Sequence, residues 1–205
     1  MPAGALAAEH GTPLVVYCEE TIRARARAYR AAVPDALVVY GTKAFPNVAV
    51  MRVLAEEGVG ADVSTLGELA FALRAGLRGD RLLFHGNNKS DEELRAAAGG
   101  GAFVVLDALE EVERAREARV RRVLVRVKPA VEAVTHPAIA TAHAESKFGL
   151  DPDGALAAVR AALERGLDVA GLHVHVGSQL TRIDESALAI DRLAELCRRC
   201  RDELG

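Results

Sequence analysis

A unit of one apolar run and one amphipathic segment repeats along the chain, and its spacing constrains the fold more than any other feature. The apolar runs end at Tyr40, Val63, His85, Leu106 and Val127, which are 23, 22, 21 and 21 residues apart. The runs are continuous rather than alternating, as is typical of parallel strands covered on both faces. The repeat predicts an α/β fold, either a (β/α)8 TIM-type barrel or a doubly wound sheet. No G-x-G-x-x-G fingerprint follows the first of these strands, which favours the barrel.

The repeat distributes strands and helices over a single domain, residues 1–205. Strands are predicted at residues 14–17, 37–40, 59–63, 82–84, 103–106, 123–127 and 169–176. Helices are predicted at residues 21–32, 47–57, 66–75, 91–98, 109–118, 154–165 and 184–204. Capping boxes pair a side-chain oxygen with a carboxylate three residues later, and they predict helix starts after Thr65, Ser90 and Asp107. Glycines are predicted to end four helices, at Gly58, Gly76, Gly166 and Gly205.

Composition excludes several classes of protein. The formal net charge is −3 and no cluster of Lys and Arg stands out, which excludes a strongly basic nucleic-acid binder. No apolar stretch approaches the ~18–20 residues that cross a bilayer, and residues 1–6 lack the pattern of a signal peptide. The three cysteines are too few for a disulfide framework, and the C-x-x-C at 197–200 falls late in a helix, which favours packing over redox or zinc chemistry. These features predict a soluble cytoplasmic protein without nucleic-acid or membrane partners.

Polar residues stand at or near the carboxyl ends of five predicted strands. They are Lys43, Asp62, His85, Arg126 and the pair His173 and His175. In a (β/α) barrel the carboxyl ends of the strands meet at one mouth, where substrates bind. The repeat lengthens once, at residues 129–149, and this insertion, which contains His136 and His143, is predicted to lie on the same face. The sequence therefore predicts one polar site at this mouth.

Lys43, Asp62 and Arg126 are the charged candidates. A lysine that follows the apolar residues 37–40 is expected to be partly desolvated, which lowers the pKa of its amine and frees it as a nucleophile. Such an amine forms an imine with an aldehyde cofactor. The alternative for Lys43 is a solvated loop residue, which is the commoner situation of a lysine. Asp62 and Arg126 are either a buried ion pair or groups that bind a ligand.

The last predicted strand carries two histidines and leads into a glycine turn. His173 and His175 share one face, where they are either hydrogen-bonded core residues or two ligands of a metal that lacks an evident third. Gly177 and Ser178 follow, and the free amides and hydroxyl of such a turn suit half of a phosphate site.

Five segments of the chain resemble one known family. YGTKAF at residues 40–45 and ADVSTLGE at residues 61–68 are similar to segments of the fold-type III pyridoxal-phosphate-dependent decarboxylases. HGNNKS at residues 85–90, SKFG at 146–149 after TAH at 141–143, and GLHVHVGSQ at 171–179 resemble, more narrowly, the diaminopimelate decarboxylases of that family. The matching order extends from about residue 12 to residue 178.

The resemblance implies a fold, a cofactor and a reaction. The fold is the alanine-racemase-like (β/α)8 barrel, and the cofactor is pyridoxal phosphate. The implied catalytic residues are Lys43, which holds the cofactor covalently, and His175, which stacks on its ring. Ser178 would bind the phosphate, and Asp62 and Arg126 would line the pocket. The implied reaction is the decarboxylation of meso-2,6-diaminopimelate to L-lysine, a step of lysine biosynthesis, in a homodimer.

The chain departs from the family pattern after residue 178. The family's glycine-rich phosphate loop, its E-P-G-R segment and its separate β-domain, with a cysteine and a tyrosine, have no counterpart before Gly205. We therefore expect an incomplete barrel of about six of eight strands, with little activity alone. The alternatives are another acyclic amino-acid decarboxylase of the ornithine, arginine or carboxynorspermidine type, a non-catalytic pyridoxal-phosphate-binding homologue, or a chain completed by pairing with another.

Overall fold

Six parallel strands form one sheet in a computed structural model that describes residues 2–128, 147–178 and 183–205. The strands are β1 Val39–Gly41, β2 Gly60–Val63, β3 Leu82–Phe84, β4 Phe103–Leu106, β5 Arg122–Arg126 and β6 Asp168–His173. Each strand pairs in parallel with the next strand along the chain. A doubly wound sheet reverses its strand order at a switch point, whereas a (β/α) barrel does not. The unbroken order confirms the prediction of an incomplete (β/α) barrel.

Helices alternate with the strands as the repeat predicts. They are α1 Ala3–His10, α2 Glu19–Ala32, α3 Val48–Glu56, α4 Leu66–Arg74, α5 Asp91–Gly100, α6 Glu111–Glu117, α7 Pro152–Glu164 and α8 Asp184–Leu204, with 3-10 turns at Thr42–Ala44 and Gly79–Arg81. All seven predicted helices are present, and α1, which buries no residue, is additional. No helix in the described part of the chain is both long and apolar enough to cross a membrane.

The predicted strand at residues 14–17 is wrong. Its side chains are exposed, from 41% at Leu14 to 77% at Val15, and its backbone pairs with none of the six strands. The ring of Tyr17 instead stacks on Phe45, with centroids 4.9 Å apart. An apolar run becomes a strand only where a neighbouring strand accepts its hydrogen bonds.

One of the three predicted capping boxes is complete, and a second forms only half of its hydrogen bonds. The box is complete at Ser90. At Thr65 the hydroxyl accepts from the Glu68 amide, but the Glu68 carboxylate accepts from the amide of Ser64 instead of that of Thr65. The box at Asp107 is wrong, because helix α6 begins at Glu111 and the Asp107 carboxylate is engaged elsewhere. The four glycines predicted at helix ends all have a positive φ, between 74° and 94°.

The sheet is curved, and this curvature positions the site. Lys43, just after β1, and His175, two residues past β6, line the same cavity. In a flat sheet of six strands the outer two would be about 24 Å apart, at about 4.8 Å per strand. The central strands carry the buried core, whereas β1 and β6, the sheet edges among the described residues, are only partly covered. The predicted strand at 169–176 ends at His173, so His175 lies beyond the ladder.

Candidate active site

A cavity of about 490 Å³ lies at the carboxyl ends of the strands. Six of the polar residues predicted to converge there line it, namely Lys43, Asp62, His85, Arg126, His173 and His175. Residues 129–146, which hold His136 and His143, lie outside the described residues. Ser178 is half-buried after Gly177, but it is not among the residues that line the cavity. Its predicted phosphate contact stays a prediction.

Lys43 is exposed, so the expected desolvation of its amine is wrong. The residue lies beyond β1, in the 3-10 turn Thr42–Ala44, rather than among the apolar residues of the strand. The turn is fixed to β2 because the Thr42 hydroxyl donates to the carbonyl of Asp62 at 2.8 Å. Among the described residues none forms a hydrogen bond or ion pair with Lys43. Its amine is therefore free to react with a ligand in the cavity.

Lys89 is the buried lysine of the cavity, and sequence reasoning missed it. Its side chain is 0% exposed, and Nζ donates to the carbonyls of Gly86 and Val105 and to Glu111 Oε2, at 2.6, 2.7 and 2.9 Å. Burial lowers the pKa of Lys89, and the charge of Glu111 opposes that shift. Three acceptors use all three protons of an ammonium group, so this nitrogen has no lone pair for nucleophilic attack. The feature of the sequence that could have identified Lys89 is its position in the family-like segment HGNNKS, residues 85–90.

Asp62 and His85 face each other on neighbouring strands. Asp62 Oδ1 lies 3.5 Å from His85 Nε2 without a hydrogen bond, and it is buried. Burial raises the pKa of Asp62 to about 7, against the charge of Lys43. Burial, aided by the charge of Arg126, lowers the pKa of His85 to about 4. At neutral pH His85 is therefore neutral, and the Asp62 carboxyl exchanges its proton near physiological pH.

Asp62 and Arg126 do not form an ion pair with each other, so the first of the two alternatives for these residues is wrong. Arg126 Nη1 donates instead to Asp107 Oδ1 at 2.9 Å, and both side chains are buried. Asp107 follows β4, which is adjacent to β5, whereas Asp62 is on β2, three strands away from Arg126. The nearer strand supplies the counterion.

His173 and His175 are neutral imidazoles. Burial lowers the pKa of His173 to about 3 and that of His175 to about 4, and the charge of Lys43 is the next cause for His175. His173 Nδ1 is buried without a hydrogen-bond partner. In the parts of the chain that the structure describes, no third His, Cys, Asp or Glu completes a metal-binding group.

The fold and the cavity define a class of protein. It is a (β/α)-barrel protein whose ligand cavity combines a free lysine amine with neutral imidazoles and a buried guanidinium. The model of one family, described as pyridoxal-dependent decarboxylase, pyridoxal binding domain, matches residues 19–205. The chain belongs to this family, and pyridoxal phosphate is the cofactor that its membership implies.

Relatives agree in sequence and in structure. The chain is 44% identical to the diaminopimelate decarboxylase of Actinosynnema pretiosum over 98% of its length, and 44% identical to that of Mycobacterium tuberculosis over 100%. The diaminopimelate decarboxylase of Helicobacter pylori, solved in complex with L-lysine, superposes with a TM-score of 0.90 at 28% identity, over 97% of this chain and 52% of that one. The lysine/ornithine decarboxylase of Vibrio vulnificus, solved with cadaverine, gives 0.84 at 28% identity, over 98% and 52%. The chain spans about half the length of the curated relatives, 47% and 48% for the two named.

Proposed function

We propose that the protein is a decarboxylase of meso-2,6-diaminopimelate in which Lys43 holds pyridoxal phosphate and His175 packs against its ring. The observation that carries the proposal is the meeting of Lys43 and His175 in one cavity, although they follow the first and last strands of the sheet. When bound, pyridoxal phosphate accepts the electron pair that is left when the carboxylate of an amino acid departs as carbon dioxide.

The residues of the cavity fit this cofactor. An aldehyde needs a nucleophilic amine, and Lys43 is the cavity lysine whose donors are not already used. A flat aromatic ring packs well on an imidazole that carries no charge, and burial keeps His175 neutral. The buried, unpaired oxygen of Asp62 and nitrogen of His173 are polar atoms that a ligand would satisfy.

The remaining charged groups support binding and proton transfer. Asp62 changes protonation state near neutral pH, and the positive charge of Lys43 acts on its pKa. Asp62 is therefore suited to transfer a proton at the amine of Lys43. Arg126 supplies a buried positive charge to a cavity that must accept an anionic phosphate and an anionic carboxylate. Ser178 is assigned to the phosphate by the family resemblance.

The choice of diaminopimelate rests on the relatives at 44% identity, which are named for that activity. The second candidate is another acyclic amino-acid decarboxylase, and the structural likeness to the lysine/ornithine enzyme of Vibrio vulnificus favours it. A homodimer and a cytoplasmic location complete the proposal; the homodimer follows from the resemblance, and the location follows from the composition of the chain.

Covalent labelling tests the lysine. The chain has four lysines, Lys43, Lys89, Lys128 and Lys147. Pyridoxal phosphate is added, the absorbance band of an imine is recorded, borohydride fixes the bond, and peptide mapping locates it. We expect the label on Lys43 and its loss in Lys43→Arg, whereas Lys147→Arg is the matched control and keeps it. A label on another lysine would refute the assignment.

Displacement of the cofactor's absorbance band tests the substrate. An amino acid whose amine replaces that of Lys43 changes the band without any need for turnover. We expect meso-diaminopimelate to act at a lower concentration than ornithine, arginine or lysine. A lower concentration for ornithine or arginine would favour the second candidate, and no displacement by any of them would favour a non-catalytic homologue.

A further inference from the structure

Asp107 lies behind the cavity and uses both oxygens of its carboxylate. The residue is 4% exposed. Oδ1 accepts a hydrogen bond from Arg126 Nη1 at 2.9 Å, and Oδ2 accepts one from the backbone amide of Gly149 at 3.0 Å. One buried carboxylate therefore joins the end of strand β5 to the segment that begins at Lys147.

One partner of Asp107, Arg126, lines the cavity, and the other, Gly149, directly follows the cavity residue Phe148. The guanidinium carbon of Arg126 lies 4.7 Å from the ring centroid of Phe148. Gly149 has a φ of +75°, and a Cβ atom there would lie 3.1 Å from Arg126 Cγ, so this backbone approaches the arginine closely. Asp107 thus holds a cation and the aromatic ring next to it in one arrangement.

A second buried ion pair fixes Asp107 itself. Its backbone amide donates to Glu111 Oε2 at 2.6 Å, and the same oxygen accepts from Lys89 Nζ at 2.9 Å. Lys89 also donates to the carbonyl of Gly86, the residue after His85. Buried ion pairs often contribute little net stability compared with apolar residues of the same volume. Fold stability is therefore a weak explanation for this network, and orientation of the side chains at the cavity is a stronger one.

We propose that Asp107 is a positioning residue of the cofactor pocket, which holds Arg126 and Phe148 in the arrangement that binds pyridoxal phosphate. The inference rests on the proposed function. Asp107 is not one of the residues that line the cavity, so it acts through its two partners. The negative charge of Asp107 also compensates the buried guanidinium of Arg126. Without that charge, the Arg126 side chain would be more stable in contact with water than in the interior.

The first test compares Asp107→Asn with the wild type and with Asp153→Asn in the 205-residue chain. An asparagine has one acceptor oxygen where aspartate has two, so one of the two bonds is lost. Asp153 pairs with Arg199 at 2.7 Å and its side chain is 85% exposed, which makes it the matched control. Titration with pyridoxal phosphate, followed by absorbance, should give a Kd about tenfold higher for Asp107→Asn and unchanged for Asp153→Asn.

A double-mutant cycle separates positioning from a general structural role. If Asp107 acts through Arg126, then Asp107→Asn raises the Kd less than about twofold in an Arg126→Gln background. Equal effects in both backgrounds would refute the inference, and so would an unchanged Kd in Asp107→Asn alone. If Asp107→Asn does not fold, Asp107→Glu replaces it in the cycle. The glutamate keeps the negative charge but displaces the carboxylate, and the same outcomes support or refute the inference.

A readout without the cofactor separates this inference from the proposed function. Hydrogen exchange of the Gly149 amide, followed by NMR, should accelerate about tenfold in Asp107→Asn and stay unchanged in Asp153→Asn. Unchanged exchange in Asp107→Asn would refute the contact on which the inference depends. Failure of the wild type to bind pyridoxal phosphate refutes the proposed function, whereas normal wild-type binding with an unaffected Asp107→Asn refutes the inference alone.

Discussion

The cavity histidines take up protons much less readily in the folded chain than in the unfolded chain. Burial is the main cause, and it lowers the pKa of His85 and His175 from 6.5 to about 4 and that of His173 to about 3. Asp62 is perturbed in the opposite direction, since burial raises its pKa from 3.8 to about 7. Lowering the pH of the cofactor-free chain from about 7 to about 5 therefore perturbs its stability through these four groups.

The two kinds of group have opposite signs. Each histidine contributes stability above its unfolded pKa, and that contribution is lost as the pH falls toward the folded value. Asp62 contributes stability below its unfolded pKa, and that contribution is lost as the pH rises through about 7. Near pH 5.5 the unfolded chain binds up to about three more protons than the folded chain at the histidines, and the folded chain binds about one more at Asp62. The unfolded chain therefore binds about two more protons in total. As a result, the free energy of unfolding falls by ~2–3 kcal/mol for each unit by which the pH is lowered.

Urea denaturation of the cofactor-free chain, followed by circular dichroism at about pH 7, 6 and 5, measures this slope. His85→Gln removes one of the three histidines and should reduce the net difference from about two protons to about one. His10→Gln is the matched control, because that side chain is 52% exposed and lies on helix α1, away from the cavity. A free energy of unfolding that does not change between pH 7 and 5, or a slope that His85→Gln leaves intact, would refute the reasoning.

Two further predictions concern stability. Lys89→Met leaves the buried Glu111 carboxylate without its cation and should cost ~3–5 kcal/mol in urea denaturation, and adding Glu111→Gln should recover at least about 1 kcal/mol. No recovery would show that the unpaired charge is not the cause. Gly60→Ala should cost about 3 kcal/mol, because its Cβ would lie 2.5 Å from the carbonyl oxygen of Arg81. Gly67→Ala is the matched comparison within helix α4, where the nearest atom is 3.9 Å away, and it should stabilise by ~0.5 kcal/mol; equal effects of the two substitutions would contradict this account.

Much of the architecture was predictable from local pattern. The steady spacing of the apolar runs predicts parallel strands in sequential order, because each strand–helix unit is a short-range feature. The capping box at Ser90 is also local, and the structure confirms it. The run at residues 14–17 shows the limit of this reasoning. Its composition suits a strand, but the hydrogen bonds of a strand come from a neighbour that no local pattern reveals.

Part of the candidate site was equally accessible. Lys43, Asp62 and His175 stand near strand ends, and the carboxyl ends of parallel strands share one edge, so their convergence follows from topology. The pairing of Arg126 was not accessible, because Asp62 and Asp107 are both acidic residues near strand ends and only strand adjacency distinguishes them. The sequence left Lys43 either desolvated or solvated, and the structure supports the solvated alternative, because one turn beyond a strand is enough to move a side chain out of the apolar layer.

Local pattern along the chain predicted the six strands that the structure describes, with one further strand at residues 14–17 that is absent, and it predicted which polar residues stand at their carboxyl ends. These properties depend on the spacing of the apolar runs and on the chain length, which can both be read directly from the sequence. Long-range packing is needed to explain why the ends of β1 and β6 meet at one cavity and why Asp107 rather than Asp62 pairs with Arg126. It also explains why the amine of Lys89 is fully hydrogen-bonded while that of Lys43 is not. Those outcomes depend on distances of about 3 Å between groups far apart in sequence, because hydrogen bonds weaken steeply beyond that range.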